Sequence, residues 1–412
     1  MPSRRRVLQM AGGGLVAAAG AAGATAVSTT PTNTSTAATA AWPMARHDPA
    51  GTAHSPDASG PKDDAAVAWT ARAPGWFVGT SEPILVDETV YAAGNGIVAV
   101  DAATGERQFA VEGTAQATPA CTAADHYTTP TLATTGTDGL RGLDAAGGVE
   151  LPIVGWRIGT ERWRGPRSPD TTGMYSFGPG SFRGPSPVSV DGQVVAAVPE
   201  QGTVVALDGD TGDVVWTVEP DAGDLPDTVV NDLVVRDGTV YVTNYPYRVN
   251  AYDLATGERR WHRQLDRRRV HVTAATDNGL LALTRETVRL LSSADGATVW
   301  KYDHGGNVTD SEPAVANGLA FVPDSMETLH ALHLDTGKRA WTAEFDGRGS
   351  PVVADGVVYA TREDYELIAF DAETGRRRFS FTPEQVPLST PIVSGGRLYA
   401  ANRYRVLALT EP

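Results

Sequence analysis

An all-β, eight-bladed β-propeller of four-stranded antiparallel blades is the fold class the sequence predicts. Three observations predict it: a repeat of about 40 residues, a turn glycine in each copy, and an aromatic residue four positions after most of those glycines. The glycines are Gly105, Gly147, Gly212, Gly257, Gly296, Gly337 and Gly375, mostly 38 to 45 residues apart. Phe109, Trp216, Trp261, Trp300, Trp341 and Phe379 follow them. The copy at Gly147 lacks that aromatic, and the 65 residues from Gly147 to Gly212 leave room for one blade plus an insertion at about 155–183.

Residues 1–27 read as an export signal. Ser3-Arg4-Arg5-Arg6-Val7-Leu8 followed by the small, apolar run Ala11 to Val27 has the twin-arginine pattern. The expectation is export to the cell surface or beyond, with the signal either cleaved or kept as an anchor. It is the only transmembrane candidate. Residues 28–41 are a Thr/Ser/Ala-rich linker, and the propeller occupies 42–412. Asn33 and Asn307 lie in Asn-x-Ser/Thr sequons.

Each repeat opens with a short apolar strand after Glu-Pro or Ser/Thr-Pro, as in Glu82-Pro83-Ile84-Leu85-Val86. A tight turn leads to a second strand, and a variable loop leads to a third that ends Ala-x-Asp. After the Thr-Gly turn comes the strand with the aromatic. The clearest copy runs from Asp237 through Ala251-Tyr252-Asp253 and Thr256-Gly257 to Trp261. Asp binds nearby backbone and Gly accepts positive φ, so the pair closes a tight turn. The aromatic is expected to pack between neighbouring blades, where its large area is buried.

The count of eight depends on the chain ends. Thr390 to Val393, Arg397 to Ala400 and Val406 to Leu409 supply three strands of a last copy. Ala65-Ala66-Val67-Ala68-Trp69-Thr70, with Trp69 in the aromatic slot, reads as the missing fourth. Its docking on the last blade would close the ring and remove exposed edges.

Acidic residues outnumber basic ones by 49 to 34, a formal net charge of -15. Nucleic acid is thereby disfavoured as a partner, since phosphate binding needs a Lys/Arg surface. Only Lys62, Lys301 and Lys338 are lysines. An acidic, lysine-poor surface suits a halophile, and a GC-rich genome gives the same bias. Cys121 is the only cysteine, so an intramolecular disulfide and a thiolate metal cage are both excluded.

The signature Ala-x-Asp-x-x-Thr-Gly-x-x-x-Trp resembles the PQQ-like repeat of quinoprotein alcohol dehydrogenases and of the outer-membrane assembly factor BamB. Trp42-Pro43-Met44-Ala45-Arg46-His47-Asp48, leading to Thr52 and Ser55, resembles the segment before the first blade of such proteins. The dehydrogenase branch implies PQQ stacked between a disulfide of adjacent cysteines and a Trp floor. It also implies Ca²⁺ held by Glu, Asn and Asp, and a catalytic Asp. The lone Cys121 departs from that pattern, and no residue triplet matches the calcium set by motif.

Asp208-Gly209-Asp210-Thr211-Gly212-Asp213 looks superficially like a Ca²⁺ loop, but its glycine falls fifth rather than sixth and the segment occupies the turn slot. His330 and His333 lie three apart on a strand, hence on opposite faces. No catalytic or metal-binding residue is nominated. Two regions are candidate binding surfaces. The insertion carries Trp156 and Trp163 among arginines and glycines. The loops between second and third strands carry Tyr245, Tyr247 and Arg248, then Glu327, then Tyr365 and Glu366, then Arg403, Tyr404 and Arg405. Repeat symmetry places these loops on one face, around the channel mouth. The expected function is a monomeric, cofactor-free, non-enzymatic scaffold that presents one ring face to an envelope or extracellular protein. The alternatives are a PQQ- and Ca²⁺-dependent quinoprotein dehydrogenase, and a polysaccharide-binding or -cleaving surface protein.

Overall fold

A computed structural model describes residues 42–73, 81–113, 115, 117–136, 139–151, 156–167, 184–199, 202–221, 229–245, 248–265, 270–308, 311–362, 366–385 and 387–412. The signal at 1–27 and the linker at 28–41 lie outside them. Among the described residues no helix is long and apolar enough to cross a membrane.

The strands form eight four-stranded antiparallel sheets, paired in chain order within each sheet. The first strands are Ile84–Val86, Ala120–Thr122, Val188–Val190, Val230–Arg236, Val270–Thr276, Ala314–Ala316, Val352–Ala354 and Ile392–Ser394. They are rich in Val, Ile, Leu and Ala and mostly buried, as strands covered on both faces should be. The fourth strands of blades 1 to 7 are Arg107–Glu112, Glu161–Arg164, Val214–Val218, Arg259–Gln264, Thr298–Asp303, Arg339–Glu344 and Arg377–Phe381. These are mostly exposed apart from the aromatic. The eighth blade takes its fourth strand from the other end of the chain: Ala66–Arg72 pairs antiparallel with Arg405–Thr410, with Trp69 opposite Ala408.

The register explains the Ala of Ala-x-Asp. Phe109, Trp216, Trp261, Trp341, Phe379 and Trp69 face Ala99, Ala206, Ala251, Ala331, Ala369 and Ala408 on the third strand. A small residue there leaves room for the ring. In every blade the pairing shifts beside the aromatic, a bulge that increases local twist.

Phe109 and the blade tryptophans also reach the next blade. The ring of Trp216 lies against Gly257, Trp261 against Gly296, Trp300 against Gly337, Trp341 against Gly375, Phe109 against Gly147 and Trp69 against Gly105. These glycines have φ of 66° to 73°, so both conformation and space demand glycine. The indole N–H of Trp216 donates to Leu254 O at 2.7 Å, and Trp69, Trp261, Trp300 and Trp341 donate to the corresponding carbonyls.

Blade 2 differs from the sequence reading. Its aromatic is present: Trp163 lies opposite Gly142, packs on Gly212 and donates to Gly209 O at 2.9 Å. A hairpin pairing Val149–Leu151 with Trp156–Ile158 is inserted between the third and fourth strands. It carries the aromatic 16 residues beyond Gly147 instead of four. The stretch 155–183 is therefore not one insertion, since the blade's fourth strand runs through it.

The segment 42–59 fills the centre of the ring. Trp42 exchanges two hydrogen bonds with Leu85. Carbonyls of Pro43, Pro49, Ala50, Thr52 and Ala53 accept from the first-strand amides of Cys121, Val235, Ala275, Val315 and Val353, and Ser59 O accepts from Gly396. His54–Ser55 adds parallel to Val352–Ala354. Met44 packs into the apolar cluster that holds Val188. One segment thus contacts all eight blades and closes the channel.

Candidate functional site

A cavity of about 410 Å³ opens where the first strands begin. Its composition follows from a feature of the repeat. Glu82, Thr118, Ser186, Glu312, Ser350 and Thr390 each precede a proline, and all six line the cavity. A residue before proline is held extended, which fixes its position at the strand entrance. Blades 4 and 5 lack the proline and contribute Asn231, Asp232 and His271 from longer first strands. Ala45, Arg46, Asp48, Pro49 and Gly51 of the central segment form the floor.

These positions are hydrogen-bonded from blade to blade. Thr118 Oγ1 donates to Glu82 O at 3.0 Å, and Glu312 N donates to Ser350 Oγ at 3.0 Å.

Arg46 is the hub of the floor. It has φ of 62° and is followed by His47 at 74°, so the segment reverses sharply there. Its Nε lies 3.0 Å from Glu312 Oε2, and its Nη2 donates to Pro313 O. Among the described residues its buried Nη1 has no hydrogen-bond partner, and neither does Thr361 Oγ1 on the same cavity wall.

Glu82 is buried. It accepts from Trp42 Nε1 at 2.8 Å and from Arg46 N at 3.3 Å. Burial pushes its carboxyl up to about 7, against the opposing pull of Arg46, and Glu312 adds repulsion. Asp232 is raised well above its ordinary value, by burial first and then by Glu312. The floor thus gathers carboxylates around one guanidinium, and two of them hold protons unusually tightly.

The loop residues expected at the channel mouth follow the second strands on this same face, outside the cavity wall. Tyr245, Glu327, Arg403 and Tyr404 are exposed. Arg248 pairs with Asp221, Glu366 with Arg362 and Arg377, and Arg405 with Glu384. Tyr247, Tyr365 and the Trp156 side chain lie outside the described residues. Trp163 belongs to the blade framework and is only 5% exposed, so it offers no surface to a partner. The Asp208 turn has its carboxylate filled by the N–H groups of Asp210 and Thr211. His330 is buried and His333 exposed.

Residues 61–164, 153–283 and 284–411 match the family described as outer membrane protein assembly factor BamB. The chain belongs to this BamB family. The outer membrane protein assembly factor BamB of Yersinia pestis is 27% identical over 246 residues, which cover 53% of this chain and 61% of that protein. The chain thus spans about three fifths of the length of the curated relatives it matches, 61% and 60% for the first two. Among solved structures, BamB from Moraxella catarrhalis has a TM-score of 0.59 at 14% identity, covering 84% of this chain and 100% of that one. Quinohemoprotein alcohol dehydrogenase from Comamonas testosteroni has a TM-score of 0.66 at 15% identity, covering 89% and 80%. At such identities the likeness shows the fold alone.

The second comparison calls for a test of the cavity against PQQ and Ca²⁺. A polycarboxylate quinone requires cations and a flat aromatic floor. In this BamB-family chain Trp42 is fully buried and exposes no ring face, and Cys121 is buried and alone. Four carboxylates (Asp48, Glu82, Asp232 and Glu312) line the cavity against two arginines, Arg46 and Arg348. Among the described residues no three His, Cys, Asp or Glu side chains converge as metal ligands. These residues do not fit PQQ with Ca²⁺.

Proposed function

We propose that this BamB-family propeller is a cofactor-free, non-enzymatic scaffold that binds a protein partner through the cavity face, outside the cytoplasmic membrane and after twin-arginine export. The carrying observation is the construction of that face. All eight blades and the central segment build one polar cavity with a closed floor. Around it stand loops with exposed Tyr245, Met326 and Tyr404. Exposed aromatic and Met side chains around a polar centre are the composition of a protein interface. The name of the BamB relatives, which are assembly factors, supports the same class of role. The closed ring leaves no free blade edge at the chain ends, in keeping with a monomer.

Two measurements test the reading. Crosslinking in the native envelope should give one defined adduct, lost when Tyr245 and Tyr404 are both replaced by Asp. Incubation with PQQ and CaCl₂ should give neither a stoichiometric quinone spectrum nor dye-linked oxidation of alcohols or sugars. Turnover with bound quinone would overturn the scaffold reading in favour of a dehydrogenase.

A further inference from the structure

We infer that the axial cavity receives a Lys or Arg side chain of the protein partner, held among Glu82, Asp232 and Glu312, while a carbonyl of the same peptide segment meets Arg46 Nη1 and Thr361 Oγ1. This rests on the scaffold reading and names what the scaffold holds.

The charge on the cavity wall comes first. Asp48 is already engaged by Thr52 and lies 3.6 Å from the His47 ring. Arg46 is shared among Glu312 and the carbonyls of Pro313 and Gly51. Asp232 accepts a 2.8 Å hydrogen bond from the N–H of its own successor, Leu233. The carboxylates therefore outnumber the cations that face them. Burial makes an unmatched carboxylate costly, so Glu82 and Asp232 hold their protons more tightly, and a bound cation favours their ionised forms. An anionic ligand would add to the repulsion.

The second observation is independent of the acidic groups. Arg46 is 8% exposed and Thr361 1%, and the Nη1 of one and the Oγ1 of the other are buried without partners among the described residues. Both residues line the cavity. An N–H and an O–H in that state call for acceptors. The ligand must then carry a cation and an acceptor together. A simple amine or a metal ion supplies no acceptor. A basic side chain on a peptide supplies both, and the volume accommodates one long side chain with its flanking peptide groups.

Protons are coupled to this binding. Glu82 faces Arg46, Trp42 and Glu312, and burial sets its carboxyl near 7. A cation beside it favours the ionised form, so binding releases a proton and tightens as pH rises from 6 to 8.

The test is calorimetric titration of the full chain at pH 7 in two buffers of different ionisation enthalpy. The probes are Ac-Gly-Lys-Gly-NH₂, Ac-Gly-Arg-Gly-NH₂, Ac-Gly-Gln-Gly-NH₂, butylamine and CaCl₂. The basic peptides should bind at one site, about tenfold or more tighter than the Gln peptide, with buffer-dependent heat. Asp232→Asn and Glu312→Gln should each weaken them by about tenfold while the circular dichroism spectrum stays as in the parent. Equal binding of the Gln peptide, tighter binding of butylamine or CaCl₂, unchanged affinity in both variants, or no binding at all would each overturn the inference. The envelope adduct separates the two readings. If it forms equally with the parent, Asp232→Asn and Glu312→Gln, the scaffold stands and this inference falls. If the Tyr245/Tyr404 variant keeps the adduct, the scaffold reading falls whatever the peptides do.

Discussion

At the scale of single residues, the blade aromatic does two jobs. It fills the space above a third-strand Ala or Gly in every blade but the fifth, where Trp300 faces Leu290, and where it is Trp its N–H bonds a carbonyl of the next blade. Trp216→Ala should cost about 3–5 kcal/mol by the loss of that packing. Gly257 has φ of 71°, and an added Cβ would come 2.9 Å from the Trp216 ring. Gly257→Ala should cost at least about 1–2 kcal/mol from the backbone conformation alone. Urea titrations check both. In the two blades with Phe, a second-strand tyrosine supplies the bond to the next part of the ring: Tyr91 Oη to Ala145 O and Tyr359 Oη to Pro61 O, each 2.8 Å. Glu82 carries a pH prediction. Its folded value of about 7 lies above its unfolded value of 4.5. The folded state therefore binds the proton more tightly, and this contribution is complete below pH 4.5 and lost as pH rises through 7. Relative to Glu82→Gln, the parent should lose on the order of 3 kcal/mol between pH 4.5 and 8, read from urea midpoints of both proteins.

At the scale of elements, two N-terminal segments complete a structure made mostly of later residues. The strand Ala66–Arg72 covers Arg405–Thr410. Replacing Ala66–Arg72 by a Gly/Ser segment of equal length, with residues 42–59 kept, would expose that strand as a paired-on-one-side edge of Val, Leu and Ala. Such an edge templates association, so the altered protein should form larger species in light scattering than the parent does. The central segment is the second element. Trp42 is fully buried and its N–H is bonded to Glu82. Trp42→Ala should cost about 3–5 kcal/mol. It should also loosen the cavity floor, so that amides of Leu85 and Cys121 exchange faster with solvent than those of the blade centres.

At the scale of the whole molecule, the full chain carries a net charge of -15. Like charges repel in the compact state, and salt screens them over about 10 Å at 0.1 M. The melting temperature should therefore rise steadily from low salt to molar KCl. A flat response would mean that the exposed arginine–carboxylate pairs, such as Arg362 with Asp346 and Glu366, already balance the surface.

The sequence by itself determined the blades. Turn chemistry, strand alternation and the aromatic slot are local, so Thr256-Gly257 and Trp261 announce their roles within a few residues of chain. Closure by Trp69 was also legible, because the last copy stops after three strands. Trp163 is not legible as the aromatic of blade 2, because the inserted hairpin puts it out of step with Gly147. Tertiary structure alone decided the cavity. Glu82, Asp232 and Glu312 lie in three different blades, and Arg46 reaches them only because residues 42–59 thread the axis. A signal was present in the periodic polar residue before proline, but its meaning depends on eight strand entrances converging. The raised values of Glu82 and Asp232 have the same origin. Burial and the repulsion of Glu312 set them, and both follow from how distant parts of the chain pack rather than from neighbours in sequence.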